Sequence, residues 1–270
     1  MSNEDAKSVL TERRGNALWI TINREARRNA INPDVIAGIH AAVIAATGDD
    51  SLRAIVLTGA GEKAFCAGAD LTRGPGVFAA APDLPTTDFG RLARAMRGIG
   101  IPVIARVNGA CVAGGMGLMA LCDLAIAADH VRFGLPEVMV GVFPMQVLVY
   151  LRRMVSPRAL NHMCLTGELI NAAKAQEIGL ANEVVPYAEL DARVEALVAL
   201  LSRSSPTALR WGKHAIAAME SMSFEGALAF AETQIALLAR TENAQEGLAA
   251  FTEKRTPSWI SEERKAANHD

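Results

Sequence analysis

The chain has 270 residues, of which 51% are hydrophobic and 21% charged, with a formal net charge of -2 and a pI near 6.2. This length and apolar fraction allow a sizeable core and exclude a disordered chain. The small net charge, with basic residues scattered among acids, disfavours a nucleic-acid partner. The N-terminus MSNEDAKSVLTERRG lacks the apolar segment of a signal peptide, and no run of about 18 apolar residues follows. We therefore expect a cytoplasmic protein without membrane insertion.

The first half of the chain alternates predicted strands and helices. The pattern predicts strands at residues 16–23, 52–59, 101–109 and 123–129, and helices at residues 33–47, 88–99 and 113–122. This succession is typical of a parallel sheet covered by helices. Beyond Pro144 helices dominate, with one short predicted strand at residues 181–186. Residues 74–87 are rich in Gly, Pro and Ala without periodicity, which predicts a loop with the composition of a mobile one.

Several common active-site motifs are absent from the sequence, including GxxxxGK[ST], a complete GxGxxG, GxSxG and HExxH. The five histidines are dispersed, so we expect no metal site. The cysteines have no C-x-x-C spacing, which is typical of reduced, buried thiols. They are Cys66, Cys111, Cys122 and Cys164. Cys66 lies in a candidate site, and it is either a nucleophile or a packed thiol that lacks an activating base.

Two glycine-bearing turns follow buried strands, FCAGAD at residues 65–70 and AGGMG at residues 113–117. Glycine lets main-chain N–H groups approach a ligand, and a helix N-terminus adds partial positive charge. Each turn can therefore face an anion or a developing negative charge, or it can simply allow tight strand-to-helix packing. Glu137, in FGLPEV, is either an acid aimed at these turns or a surface acid on a short helix.

Six segments of the chain, in order, resemble the signatures of the crotonase (enoyl-CoA hydratase/isomerase) superfamily. They are INREARRNAIN, KAFCAGADL, PVIARVNGACVAGG through CDLAIA, FGLPEVMVG, TGELINAAKAQEIGLANEVVP and EGLAAFTEKRTPSW. The resemblance implies an α/β fold, a crotonase-like spiral of repeated ββα units over residues 1–200. A C-terminal helical region over residues 201–270 would cover the site or join subunits. The resemblance also implies an acyl-CoA thioester substrate, no separate cofactor, and a homotrimer or hexamer.

The resemblance assigns the catalytic residues by motif match. In such enzymes two backbone N–H groups hold the thioester oxygen, and these fall on Ala69 and Gly114, with Glu137 as general acid/base. An enolate beside the thioester places charge on that oxygen, so fixed donors lower the barrier. The resemblance assigns substrate contacts to Arg28, Ala67, Asp70, Leu71, Thr72, Gly117, Phe251 and Lys254. For two of these a structural alternative exists, since Asp70 could hold its turn and Lys254 could lie on a solvated helix face.

Gly117 departs from the family pattern, because typical hydratases of this kind carry a second glutamate there. Water addition needs one group to activate water and one to deliver a proton, whereas a double-bond shift needs a single base. Glu137 alone, in an apolar pocket that raises the pKa of its carboxyl by desolvation, could remove a proton from one carbon and return it to another. Two alternatives remain: hydration by one glutamate, and a non-catalytic member that binds acyl-CoA or assembles with partners. Replacing Gly117 with Glu is expected to raise water addition.

The segment after Glu137 departs from the pattern as well. Many relatives carry a glycine-rich stretch where this chain has Phe143-Pro144-Met145-Gln146. Met145 and Gln146 are candidates for shaping the acyl pocket, and Met145 is equally compatible with core packing.

Overall fold

The computed structural model describes residues 7–78 and 86–260. Its strands in these ranges are β1 (Val9–Arg14), β2 (Ala17–Ile22), β3 (Ala54–Gly59), β4 (Ala64–Cys66), β5 (Val103–Val107), β6 (Ala110–Val112), β7 (Leu124–Ala128), β8 (Arg132–Gly134), β9 (Ile170–Asn171) and β10 (Glu183–Val185). They form a six-stranded sheet in the order β1-β2-β3-β5-β7-β10 and a four-stranded sheet in the order β4-β6-β8-β9.

Helices occupy much of the remaining chain. The α-helices are α1 (Pro33–Ala46), α2 (Asp88–Gly98), α3 (Gly114–Ala120), α4 (Met145–Leu151), α5 (Pro157–Thr166), α6 (Ala172–Glu177), α7 (Leu190–Ser202), α8 (Pro206–Met219), α9 (Phe224–Leu238) and α10 (Glu242–Thr252). Short 3-10 segments lie at Glu25–Arg27, Leu71–Phe78, Pro136–Val140 and Tyr187–Glu189. The predicted dominance of helices beyond Pro144 is confirmed. The division of the chain at residue 200 stays a prediction.

The two sheets are built by one repeated unit. In each unit the first strand (β3, β5 or β7) joins the larger sheet, and the next strand (β4, β6 or β8) joins the smaller one. Helices follow each pair, and both sets of three strands are parallel. Each turn of the chain therefore adds one strand to both sheets, which is the predicted spiral of ββα units.

The predicted strands and helices of the first half are all present, with shorter ends. The six residues of β3 are all buried, as expected for a strand covered on both faces. Helix α1 begins where the side chain of Asn32 accepts a hydrogen bond from the Val35 N–H, with Pro33 in the first turn. Val35, Ile39 and Val43 then bury one face of the helix. The short predicted strand near the C-terminal helices is β10.

Two parts of the architecture were not predicted. Strand β1 has the sequence VLTERR and is mostly exposed, so it lacks the apolar alternation that marks a strand. It pairs antiparallel with β2, from Val9 opposite Ile22 to Arg14 opposite Ala17. The strands β4, β6 and β8 of the smaller sheet were also not located in the sequence, because each has only three residues and is too short to show a period.

The loop predicted at residues 74–87 is partly wrong. Leu71–Phe78 forms 3-10 turns, which Gly74 interrupts with φ 69° and ψ -162°. Thr87 caps the start of α2, since its hydroxyl oxygen accepts a hydrogen bond from the Gly90 N–H at 3.0 Å. Residues 79–85 of the predicted loop lie outside the described residues, so its mobility stays a prediction.

All four cysteines are buried and carry free thiols. Burial raises the pKa of Cys66 to about 12, which supports a packed thiol and not a nucleophile. Across residues 7–78 and 86–260, no helix is long and apolar enough to cross a membrane. Over the same ranges, no group of three or more His, Cys, Asp and Glu side chains is arranged to hold a metal ion.

Candidate active site

The smaller sheet brings the two glycine turns and Glu137 to one edge. Strands β4, β6 and β8 are neighbours and run parallel, so their carboxyl ends lie at the same edge of the sheet. Ala69 comes three residues after β4, Gly114 two residues after β6, and Glu137 three residues after β8. The fold thus gathers the three residues that the sequence indicated as catalytic.

The amide groups of Ala69 and Gly114 are close neighbours. A Cβ atom added to Gly114 would stand 3.7 Å from Ala69 N. The Ile31 N–H donates to Gly68 O at 2.7 Å, and Ile31 O accepts from the Asp70 N–H at 2.8 Å. Because alternate groups of an extended segment face opposite sides, the Ala69 N–H points away from Ile31. Within the described residues neither the Ala69 nor the Gly114 N–H donates a hydrogen bond, so both are available to an oxyanion.

Close approach of the two turns requires glycine. Gly68 has φ 91°, and a Cβ atom on it would stand 2.7 Å from the Cβ of Ala113. A Cβ atom on Gly115 would overlap the carbonyl oxygen of Cys66. Ala113, which sets the orientation of the next amide, has φ 51° and ψ -126°, a conformation that costs free energy for a residue with a side chain.

Glu137 lies in the first turn of the Pro136–Val140 segment, and its side chain is only partly exposed. Its Oε2 atom is buried and has no hydrogen-bond partner among the described residues. Burial raises the pKa of this carboxyl above its ordinary value, while the Glu137 backbone N–H acts in the opposite direction. Such a carboxyl holds its proton to a higher pH than a solvated glutamate does, as a general acid/base requires.

Cys164, on α5, lies in the surroundings of Glu137. Burial raises the pKa of this thiol to about 11, and the charge of Glu137 contributes in the same direction. Burial is thus the larger cause of the raised pKa at both Glu137 and Cys164.

Asp70 holds the turn that carries Ala69. The Thr72 hydroxyl donates to one carboxylate oxygen of Asp70 at 2.6 Å, and Arg24 donates to the other at 2.8 Å. These two hydrogen bonds, with that from Thr72 the larger cause, hold the pKa of Asp70 at about 2. Arg24 also donates to Ala30 O at 2.5 Å, which ties the turn to the preceding segment. Asp70 therefore holds its turn in the structure, and a contact between Asp70 and substrate stays a prediction.

Two buried asparagines support the site and were missed in the sequence. Asn29 is 1% exposed, and its side-chain amide donates to Ala64 O at 2.7 Å. Asn108 is fully buried, donates to Gly61 O at 2.6 Å and accepts from the Gly59 N–H at 3.1 Å. Together they fix the connection between β3 and β4. The available signal was an amide side chain beside apolar runs, which needs internal partners once it is buried.

A family model described as Enoyl-CoA hydratase/isomerase matches residues 12–262 of the chain. The chain belongs to the enoyl-CoA hydratase/isomerase family. The match spans both sheets and the C-terminal helices.

Relatives and solved structures in this family are similar along nearly their whole length. The 2,3-dehydroadipyl-CoA hydratase of Escherichia coli is 34% identical over 258 residues, covering 93% of this chain and 98% of the relative. Pseudomonas aeruginosa AtuE matches with a TM-score of 0.87 and 32% identity, covering 94% of this chain and 99% of that one. The enoyl-CoA hydratase of Mycobacterium smegmatis matches with a TM-score of 0.85 and 33% identity, over 93% and 98%. The predicted crotonase-like fold is confirmed.

Gly117, the position that the resemblance matches to a family glutamate, is buried on α3 and faces a filled space. A Cβ atom on Gly117 would stand 2.9 Å from Phe89 Cζ and 3.0 Å from Val147 Cγ2. Phe89 belongs to the first turn of α2, and Val147 to α4. Apolar side chains therefore pack against Gly117, and a contact between Gly117 and substrate stays a prediction.

Four other residues that were predicted to contact substrate lie around the turn at residues 65–70: Arg28, Ala67, Leu71 and Thr72. Arg28 is exposed, and its carbonyl oxygen accepts a hydrogen bond from the Ala67 N–H at 3.1 Å. Leu71 is 49% exposed, and Thr72, which follows it, is exposed as well. These residues form the rim of the turn that presents Ala69. Their contact with coenzyme A stays a prediction.

Phe251 lies in the last turn of α10, whereas Lys254 follows the end of the helix with φ 55°, so the predicted position of Lys254 on a helix face is wrong. This helix packs against α8, and Phe251 is 85% exposed while Lys254 is exposed as well. Both side chains face solvent in the single chain. Their role at the phosphates of coenzyme A, in this subunit or a neighbouring one, stays a prediction.

The two residues that open α4 differ in what they contact. Met145 is 69% exposed, so the core-packing interpretation is wrong. The Gln146 side-chain amide donates to the Thr87 hydroxyl at 2.6 Å, and it links α4 to the start of α2.

Proposed function

We propose that this chain catalyses a double-bond shift in an enoyl-CoA thioester, with Glu137 as the proton carrier. One observation carries the proposal. The Glu137 carboxyl, whose Oε2 atom is buried, lies at the same strand edge as two backbone N–H groups that donate no hydrogen bond within the described residues. The position that the resemblance matches to a second acid is Gly117, against which Phe89 and Val147 pack. This arrangement supplies one proton carrier, which is what a double-bond shift needs.

In the proposed reaction the thioester oxygen accepts hydrogen bonds from the Ala69 and Gly114 N–H groups. The Glu137 carboxylate removes a proton from the α-carbon of a 3-enoyl-CoA, and the electron pair passes through the carbonyl to the oxygen. Glu137 then returns that proton to the γ-carbon, which gives the 2-enoyl-CoA with no net gain or loss of atoms. The scheme needs no separate cofactor, because coenzyme A is part of the substrate.

The two amides act on the charge that develops in this step. Their hydrogen bonds to the enolate oxygen are stronger than those to the ground-state carbonyl, so they lower the barrier. One such donor contributes roughly 3 to 4 kcal/mol in other enzymes. Because Gly68 and Gly115 hold the turns together, the donors are placed before substrate arrives.

Hydration by one glutamate is the second candidate, favoured by the 34% identity with a protein named as a hydratase. There Glu137 would take a proton from water as the oxygen attacks the β-carbon and would then deliver it to the α-carbon. The third alternative, binding without turnover, is favoured by Gly117 alone. Binding without turnover does not explain why the buried Oε2 atom of Glu137 has no hydrogen-bond partner among the described residues.

Assembly into a homotrimer or hexamer belongs to the same proposal. Large apolar side chains are exposed on the C-terminal helices, among them Phe224 at 77%, Ile235 at 62% and Leu248 at 63%. Apolar surface of this kind is more often covered than left in water. Light scattering on the purified chain tests this, and a monomer at micromolar concentration would contradict it.

A paired substrate assay tests the catalytic proposal. The purified protein is given 3-enoyl-CoA or 2-enoyl-CoA of one chain length, beside Glu137→Gln and the exposed-acid control Glu195→Gln. We expect 3-enoyl-CoA to be converted, with a loss of about 100-fold or more in Glu137→Gln and none in Glu195→Gln. If wild type and Glu137→Gln are equally inert while both bind acyl-CoA, the non-catalytic alternative is correct.

A further inference from the structure

The aromatic ring beside Gly117 lies next to the site where the thioester oxygen would bind. Gly117 is three residues after Gly114 on α3, so both lie on one side of the helix, about one turn or 5 Å apart. Whatever packs against Gly117 is therefore a neighbour of the carbons that adjoin the thioester.

Phe89 and Val147 occupy that place. The ring tip of Phe89 would lie 2.9 Å from a Cβ atom on Gly117, with the next ring carbon at 3.7 Å, and Val147 Cγ2 would lie at 3.0 Å. A glycine on α3 is thus what allows the ring to approach the helix backbone. Because both groups are hydrocarbon, they present an apolar surface where a carboxylate would otherwise stand.

The first turn of α2, which carries Phe89, is fixed from two sides. It follows the Thr87 cap, whose hydroxyl oxygen accepts from the Gly90 N–H at 3.0 Å and from the Gln146 side-chain amide at 2.6 Å. The next turns of α2 are anchored by the buried side chains of Leu92, Ala93 and Met96. Phe89 itself is only partly buried.

We propose that Phe89 is a specificity-determining residue that closes the acyl pocket on the Gly117 side. With Val147 it excludes acyl groups that branch or carry a ring next to the thioester, and it admits straight chains. The inference rests on the proposed function, because it requires acyl-CoA to bind at Ala69 and Gly114. A binding measurement with unreactive ligands separates it from the question of turnover.

Calorimetric titration with saturated thioesters provides that test. The probes are butyryl-CoA, isobutyryl-CoA, cyclohexanecarbonyl-CoA and free coenzyme A, and the proteins are wild type, Phe89→Ala and Val147→Ala. Val149→Ala is the matched control, because Val149 is 49% exposed on α4, the helix that carries Val147. Phe89→Leu keeps an apolar side chain in place if the alanine variant does not fold.

We expect wild type to bind butyryl-CoA more tightly than the branched and cyclic probes. Phe89→Ala should improve the affinity for isobutyryl-CoA and cyclohexanecarbonyl-CoA by about tenfold relative to the affinity for butyryl-CoA. A change of this size is typical when an apolar pocket is enlarged. Val147→Ala should shift the ratio of branched-chain to straight-chain affinity in the same direction. Free coenzyme A should bind all variants equally, and Val149→Ala should match wild type.

A folded Phe89→Ala or Phe89→Leu variant with the wild-type ratio of branched to straight affinity would overturn the inference. Loss of all acyl-CoA binding in wild type would overturn both this inference and the proposed function. Binding without turnover, with the ratio shifted as expected, would support the pocket wall and contradict only the double-bond shift.

Discussion

Gly114 lies against Ala69 so closely that a Cβ atom on Gly114 would stand 3.7 Å from the Ala69 nitrogen. The two residues are 45 positions apart, and parallel pairing of β4 with β6 brings them together. Because their N–H groups share one edge with Glu137, small changes in the packing of the turns should change both stability and catalysis.

Gly115→Ala is expected to destabilise the protein by about 3 kcal/mol or more, since the added methyl overlaps the Cys66 carbonyl oxygen and backbone must move. The matched control is Gly212→Ala in α8, where a Cβ atom meets nothing within 4 Å. That change should raise the free energy of unfolding by about 0.5 to 1 kcal/mol. Chemical denaturation measures both, and a neutral Gly115→Ala would contradict the close approach of the turns.

Ala113→Gly should stabilise the protein by about 1 kcal/mol, because glycine adopts φ 51° and ψ -126° without steric cost. The same change at Ala231, inside α9, should instead destabilise by about 1 kcal/mol. Thermal unfolding compares the two variants. A loss of stability in Ala113→Gly would show that the side chain of Ala113 contributes more than its backbone strain costs.

Asp70→Asn should cost about 2 kcal/mol at neutral pH and remove part of the acid sensitivity of folding. The folded pKa of Asp70, about 2, lies below its ordinary 3.8, so its contribution is complete above pH 4 and is lost as the pH falls toward 2. The free energy of unfolding, measured from pH 5 to pH 2, should therefore fall less steeply with decreasing pH in the variant than in wild type. Parallel curves for the two proteins would contradict the clamp by Thr72 and Arg24.

Glu137→Gln should lower activity but raise stability at neutral pH, by about 1 kcal/mol, because a buried carboxylate oxygen without a partner is removed. The pKa of Glu137 is raised, so wild type loses stability as the pH climbs above the ordinary 4.5, and the variant does not. The two proteins should be equally stable well below pH 4.5. Wild-type activity should rise with pH through the same raised pKa, since the base must be ionised.

The filled space at Gly117 changes what a restored glutamate should do. Gly117→Glu alone should be destabilised and gain little water addition, because Phe89 and Val147 occupy the place of the new side chain. Adding Phe89→Ala should recover stability and increase hydration of 2-enoyl-CoA. Product analysis checks this, and equal hydration by the single and double variants would show that Phe89 is no obstacle.

Elements with long apolar patterns could be predicted from the sequence, whereas elements of only a few residues could not. Strand β3 and helix α1 carry long apolar patterns, and the motifs around Ala69, Gly114 and Glu137 lie in order along the chain, so they were predictable. Strands β4, β6 and β8 are too short to show a period, yet they place the site. The packing of Phe89 on Gly117 joins residues 28 positions apart through tertiary contact, which no local pattern contains.

The product formed from each enoyl-CoA isomer tests the central claim most directly. Chromatography with mass detection would follow 3-enoyl-CoA and 2-enoyl-CoA incubated separately with wild type and Glu137→Gln. We predict that wild type converts 3-enoyl-CoA to 2-enoyl-CoA faster than it forms 3-hydroxyacyl-CoA from either isomer, and that Glu137→Gln does neither. Rapid formation of 3-hydroxyacyl-CoA from 2-enoyl-CoA, without interconversion of the isomers, would contradict the account.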